Sequence, residues 1–124
     1  PAGFPGLETR FGLMMKAVAD GRISLRRAAE LIAVNPAKAY GLYPRKGAIK
    51  IGADADFVLC DPKAEYTVEK EKMRTMAKDI AKVFDGWKLN GVIDKVILRG
   101  EVVYEEGQVT GEPGYGKCLL KGKA

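Results

Sequence analysis

The chain has 124 residues, 47% of them hydrophobic and 30% charged, the balance of an ordinary globular protein with a modest core. No apolar run approaches the ~20 residues of a membrane span and no signal-peptide layout opens the chain, so a cytoplasmic setting without a membrane is expected. The 21 Lys and Arg exceed the 16 Asp and Glu by five, but the cations are interleaved with acids, as in Glu69-Lys70-Glu71-Lys72, and no basic face carries aromatics. Nucleic acid is therefore not the expected partner.

Residues 1–6 hold two Pro and two Gly and read as a shaped loop. A helix is expected from Leu7, with Leu7, Phe11, Met14, Met15 and Val18 as one apolar stripe, Glu8 in its first turn and Gly21 as its stop. Ser24 caps a second helix running to about Ala33. Asn35-Pro36 reads as an N-cap with proline at the first helical position of a short third helix ending at Gly41, with Leu42 and Tyr43 folding back onto it.

Two short apolar runs, 48–51 and 57–61, flank Gly52-Ala53-Asp54-Ala55-Asp56 and predict a central hairpin. Phe57 to Cys60 is unbroken apolar sequence, which suits a strand buried on both faces and closed by Asp61-Pro62. From Thr67, Met73, Met76, Ala77, Ile80, Val83 and Phe84 fall on one face, predicting an amphipathic helix. A meander of strands at 92–99, 101–105 and 108–110 should follow, turning at Gly100 and Glu106-Gly107.

The most informative count is zero histidines. Imidazole is the usual ligand of catalytic zinc and the usual general base near neutral pH, so a complete hydrolase is not expected within this chain. Activation of a Ser or Cys nucleophile by histidine is excluded. Cys60 and Cys118 sit in different settings and read as free thiols. Gly111-Glu112-Pro113-Gly114-Tyr115-Gly116-Lys117 satisfies the spacing of a phosphate-binding loop. It nevertheless has Cys118 where a hydroxyl should hold Mg²⁺, six residues after that where a helix should begin, and Pro113 in place of a backbone donor; a Gly-rich tail laid over the surface is expected. Asp54 and Asp56 offer too few oxygens for a cation cage and read as turn stabilisers.

The stretch Lys46-Gly47-Ala48-Ile49 with Gly52, Asp54-Ala55-Asp56 and Phe57-Val58 resembles the closing segment of the amidohydrolase superfamily, where the chain leaves a metal-containing (β/α)8 barrel for a small β domain. Gly3-Phe4-Pro5-Gly6-Leu7-Glu8-Thr9 resembles the loop before the final barrel helix of dihydroorotases. The run 98–104, Pro113-Gly114-Tyr115-Gly116, Asn35-Pro36-Ala37 and Gly86-Trp87 are similar to the end of the dihydroorotase domain of the multifunctional animal pyrimidine enzyme. Hydantoinases and allantoinases share the middle motifs and are the alternative; a catalytically dead scaffold serving an enzyme partner is the third possibility.

The resemblance implies an α+β fragment: barrel loop and last helices over 1–45, then part of a composite β-sandwich with an inserted amphipathic helix over 46–124. It implies a C-terminal part of a longer enzyme, inactive alone, whose two zinc ions are bound by residues outside this chain. That enzyme would open the cyclic amide of dihydroorotate to N-carbamoyl-L-aspartate in pyrimidine biosynthesis. Ala2 and Gly3 match positions that contact the substrate ring through backbone groups, where glycine lets the main chain approach. A homo-oligomer, or association with the remainder of the polypeptide, is expected to cover the apolar stripe of the first helix.

Overall fold

Leu7 to Ala19 forms α1, as its periodicity predicts. Its C-terminus closes with Gly21 N–H on Val18 O and Arg22 N–H on Ala17 O, a Schellman end that places Gly21 at φ +69°. The computed structural model describes residues 3–119. α2 (Leu25–Ala29) follows, capped as expected by Ser24 Oγ, which accepts the Arg27 N–H at 3.1 Å. A single π turn (Glu30–Val34) joins it to α3 (Asn35–Ala39).

Asn35 is thus not the N-cap its sequence suggests: it is helical, and its N–H bonds Glu30 O. Pro36 can neither donate to the carbonyl four residues back nor tolerate its close approach, and the wider π turn accommodates the ring without ending the helix. Leu42 and Tyr43 do fold back, both donating to Ala37 O.

The strands are β1 (Phe57–Thr67), β2 (Lys88–Leu98), β3 (Glu101–Glu105) and β4 (Gln108–Val109), in sheet order β1-β2-β3-β4. The meander is as expected. Leu98 pairs with Glu101 across Arg99-Gly100, and Glu105 with Gln108 across Glu106-Gly107. Both two-residue loops have positive φ throughout (48° and 86°; 48° and 79°), the twist that suits a tight hairpin. The register shifts between Val96 and Ile97, leaving Val103 as the bulged residue, and its carbonyl accepts the Thr110 and Gly111 N–H groups.

Three expectations are corrected. The segment 48–51 is not a strand: it is loop, with Ile49 and Ile51 88% and 103% exposed. No strand among the described residues pairs with it, and its backbone is fixed by a local turn (Ala53 N–H to Lys50 O). The run from Phe57 is a strand, but an edge strand, with Val58 and Leu59 exposed. It continues through Pro62, which an edge tolerates because no ladder donor is lost.

The amphipathic helix predicted after Thr67 is also absent; two 3₁₀ turns (Lys70–Lys72 and Lys78–Ile80) lie there instead. Val68 N–H bonds Trp87 O at 2.9 Å and Gly86 N–H bonds Val68 O at 2.8 Å, so the two ends of the segment are adjacent. A helix from 68 to 86 would hold them about 27 Å apart. The apolar spacing was real, but end-to-end closure overrides it.

The chain divides into two compact units of interleaved segments: the residues up to Ala28 with Asp61–Val92, and Ala29–Cys60 with Ile93 onward. The core of the first unit is Val68, Met73, Ala81 and Leu89, with Leu13, Tyr66 and Phe84 packed against it. α1 packs on this core through Leu13 and buries Thr9, Gly12 and Met15, while Leu7 of the expected stripe is exposed. A Cβ on Gly12 would strike Tyr66 Oη and lie 3.0 Å from Leu89 Cδ1; one on Gly91, at φ +86°, would lie 2.7 Å from Met15 Cβ.

Gly91→Ala combines backbone strain with overpacking and is expected to lower the unfolding free energy by roughly 2–4 kcal/mol. Gly21→Ala, where a Cβ would meet nothing within 4 Å, carries the backbone strain alone, about 1 kcal/mol. Urea denaturation of the two variants checks the order; equal losses would mean that helix–strand contact does not constrain position 91.

Candidate functional site

Of the two expected substrate-contact residues, Ala2 lies outside the described residues. Gly3 is exposed at φ +116°, and a Cβ there would meet no heavy atom within 4 Å. Glycine is required at this point by its backbone angle and not by crowding. The following residues are tightly held. Phe4 meets Phe84 edge to face at 5.5 Å between centroids, and Phe84 meets Trp87 likewise at 5.1 Å. Thr9 is buried, and its hydroxyl donates to Gly6 O at 3.3 Å. Glu8 accepts the backbone N–H groups of Arg74 and Thr75 at 2.8 and 2.9 Å, one on each carboxylate oxygen. An open glycine therefore precedes an anchored turn, an arrangement able to present backbone donors and acceptors to a flat polar ring edge.

The second polar cluster belongs to the 45–56 loop. Lys46 bonds both Asp54, at 2.9 Å, and Asp56, and Arg45 Nε reaches Asp54 at 3.1 Å. Asp56 Oδ1 accepts the Arg99 N–H at 2.8 Å, and Ala55 O accepts the Gly100 N–H. Both aspartates thus stabilise turns, as expected, and the loop is tied to the β2–β3 hairpin. The Lys46 hydrogen bond holds the Asp54 carboxyl below its usual value against partial desolvation, with Arg45 adding to the shift. Desolvation pulls Lys46 down, but its hydrogen bonds to Asp56 and Asp54 and the attraction of their charges together outweigh this and raise it.

The Gly-rich tail lies against the sheet, as expected: Tyr115 Oη donates to Leu98 O at 3.1 Å. Arg99 donates to Tyr115 O at 2.6 Å while its guanidinium stacks 4.2 Å from the Tyr115 ring centroid. The stretch 111–119 is bend, turn and loop. Cys60 and Cys118 form no disulfide. No group of three or more His, Cys, Asp or Glu is placed to hold a metal ion among the described residues, and Asp54 and Asp56 already neutralise Lys46 and Arg45. The residues present do not fit a zinc pair. No helix among the described residues is long and apolar enough to cross a membrane.

Residues 6–103 match the model of the amidohydrolase family. The chain belongs to the amidohydrolase family. It is 45% identical over 123 residues to a D-hydantoinase of Ralstonia pickettii, covering 99% of this chain and 26% of that one. It is 39% identical over 122 residues to a dihydroorotase of Pyrococcus furiosus, covering 98% and 28%. A solved D-hydantoinase structure superposes with a TM-score of 0.87 at 44% identity over 96% of this chain and 26% of the other. The chain thus spans about a quarter of the length of these relatives. The expected superfamily holds, and helices beside a small sheet fit a piece of the amidohydrolase fold. Between the finer expectations, the similarity leans to the hydantoinases and away from dihydroorotase.

Sequence reading missed the partners of Glu8, 66 and 67 residues away, and the Arg99–Tyr115 latch. The Lys46 pairings carried a visible signal, opposite charges on either side of a glycine-containing loop.

The charge cluster predicts a bounded pH response. Asp54 has its pKa lowered from 3.8, so its contribution is present above that value and lost as pH falls through the lowered pKa. Lys46 is raised from 10.5, so its contribution is present below that value and lost as pH rises through the raised pKa. Lys46→Met is therefore expected to melt below the unaltered chain between these limits, with the gap closing beyond both; a gap constant with pH would exclude the charge pairing as its source.

Proposed function

We propose that this chain is a C-terminal segment of a hydantoinase-type cyclic amide hydrolase, contributing the loop at Gly3 to the rim of the substrate site. The observation that carries the reading is 45% identity to a D-hydantoinase across 99% of the chain, together with an open glycine at positive φ on an anchored loop. The reaction adds water across a ring amide: the carbonyl carbon gains OH, the ring nitrogen gains H, and the C–N bond breaks. A cyclic ureide presents N–H beside C=O along its edge, and a main chain unobstructed by a Cβ can pair with both. Ala2 and Gly3 take that binding role. The two zinc ions expected of such an enzyme would be held outside this chain.

The reading assigns residues up to 45 to the barrel and the remainder to the β domain. It also gives the exposed Leu7, Ile49 and Ile51 an occupant, the remaining polypeptide or a second copy in a homo-oligomer. A cytoplasmic setting belongs to the same proposal. Dihydroorotase remains the second reading, favoured by the 39% identity over 98% of the chain and by the Gly3–Thr9 loop pattern.

Ring-opening assays on the full-length protein separate the readings. Hydantoin or 5-phenylhydantoin is expected to exceed dihydroorotate in kcat/KM by about tenfold or more; the reverse preference would establish dihydroorotase, and no turnover of either would leave a scaffold. The 124-residue chain alone is expected to turn over neither and to hold no stoichiometric zinc, checked by the same assay with metal analysis.

A further inference from the structure

We propose that Glu8 and Phe84 are positioning residues, which make the segment between β1 and β2 a determinant of the substrate loop's conformation. The proposal rests on the reading of that loop as a substrate contact. The segment 68–87 has the length and apolar content of a surface helix but is folded into a closed excursion by the Val68–Gly86 and Val68–Trp87 hydrogen bonds. What it gains in that shape is access to the loop from two directions. Backbone N–H groups of Arg74 and Thr75 converge on the Glu8 carboxylate, each a charge-assisted hydrogen bond and so stronger than a neutral one. In a helix running through 70–84, both amides would be spent on carbonyls four residues back.

From the other side, Phe84 gives the Phe4 ring an edge-to-face partner and is itself backed by Trp87. Met73, Ala81 and Val83 line the same shallow apolar depression with Phe4 and Pro5. The loop residues 4–8 are thus held at both ends by one excursion, while Gly3 is left open. Glu8 exceeds the needs of a helix start: a first-turn carboxylate would favour the dipole from solvent, whereas this one is bonded 66 residues away.

If the loop binds substrate only when so held, loosening it lowers the competent fraction. The apparent affinity falls by that fraction while the bound complex reacts as before. A purely structural role would lower stability and leave KM alone. The test uses the full-length enzyme with 5-phenylhydantoin as substrate and the variants Glu8→Ala, Phe84→Ala, Phe84→Tyr and Gly3→Val. Glu8→Ala and Phe84→Ala are expected to raise KM about tenfold with kcat within twofold, and to speed amide exchange at residues 4–8 without changing it in β2. Phe84→Tyr, which keeps the ring, should behave as the parent. If Phe84→Ala does not fold, Phe84→Leu is read in its place.

Unchanged KM in Glu8→Ala and in the Phe84 variant, with Gly3→Val impaired, would overturn the positioning role and leave the loop in the site. So would a loss confined to kcat. Unchanged kinetics in Gly3→Val would instead remove the loop from the site, and this proposal with it.

Discussion

The close approach of α1 to the ends of β1 and β2 is the constraint on which the first unit depends. Two glycines make it possible. Gly12 gives the helix a face on which Tyr66 and Leu89 can lie directly against backbone, and Gly91 lets β2 pass under Met15 with a positive φ no side chain would favour. Leu89, fully buried, sits where the helix, the strand and the 68–87 excursion meet. Because α1 is fixed so closely, its first turn lies within reach of the 68–87 excursion, whose Arg74, Thr75 and Phe84 then hold Glu8 and Phe4. The chemistry proposed for the loop is thus downstream of a packing contact a full turn or more along the helix.

Local signals were legible and closure was not. The extent of α1, the stop at Gly21, the Ser24 cap and the two-residue hairpins all depend on neighbours within a few residues, and each appears close to where the sequence places it. The 67–84 segment misled because a 3.6-residue apolar period states only that one side will be buried. Of that stripe only Met73 and Phe84 are in or against the core, while Met76, Ile80 and Val83 are exposed, because the segment is a closed excursion whose ends are bonded together. The alternation at 48–51 likewise registers a strand's composition, while a strand also needs a neighbour to bond. The helix face was displaced for a related reason: Gly12, which hydropathy scores as nothing, decides which side of α1 faces the core.

The residues that gave the family resemblance explain why it identified a family more readily than a substrate. Phe4 packs on Phe84, Glu8 binds the amides of Arg74 and Thr75, Thr9 is buried on Gly6 O, and Asp54 and Asp56 hold Lys46, Arg45 and the β2–β3 turn. Each of these does architectural work within this chain. Such residues serve the backbone of this segment and say nothing of a ring substituent. A side chain that discriminates one ring substituent from another must touch that substituent, and no side chain exists at Gly3 to do so. The motif therefore reports how the loop is built.

The two units hold their shapes by different means. Among the described residues, the buried hydrophobic side chains are Met15, Ala28, Val68, Met73, Ala81 and Leu89 in the first unit and Ala37 alone in the second. The second is organised instead by tight hairpins, the Lys46 ion pairs and the Arg99–Tyr115 stack. Partly exposed pairs of this kind contribute little individually, but they are directional, and directionality is what a loop without a core needs. Gly47 shows how far this goes: its φ is +75°, and a Cβ would lie 2.8 Å from Ala37 Cβ and 3.0 Å from Ala33 O, so the loop is seated on α3 by backbone contact before any large side chain is involved. Ile49 and Ile51 can then project fully exposed without the loop around them losing its form. Burial of those two side chains elsewhere would add to the stability of this unit, but its conformation is already set by charge, hydrogen bonds and glycine.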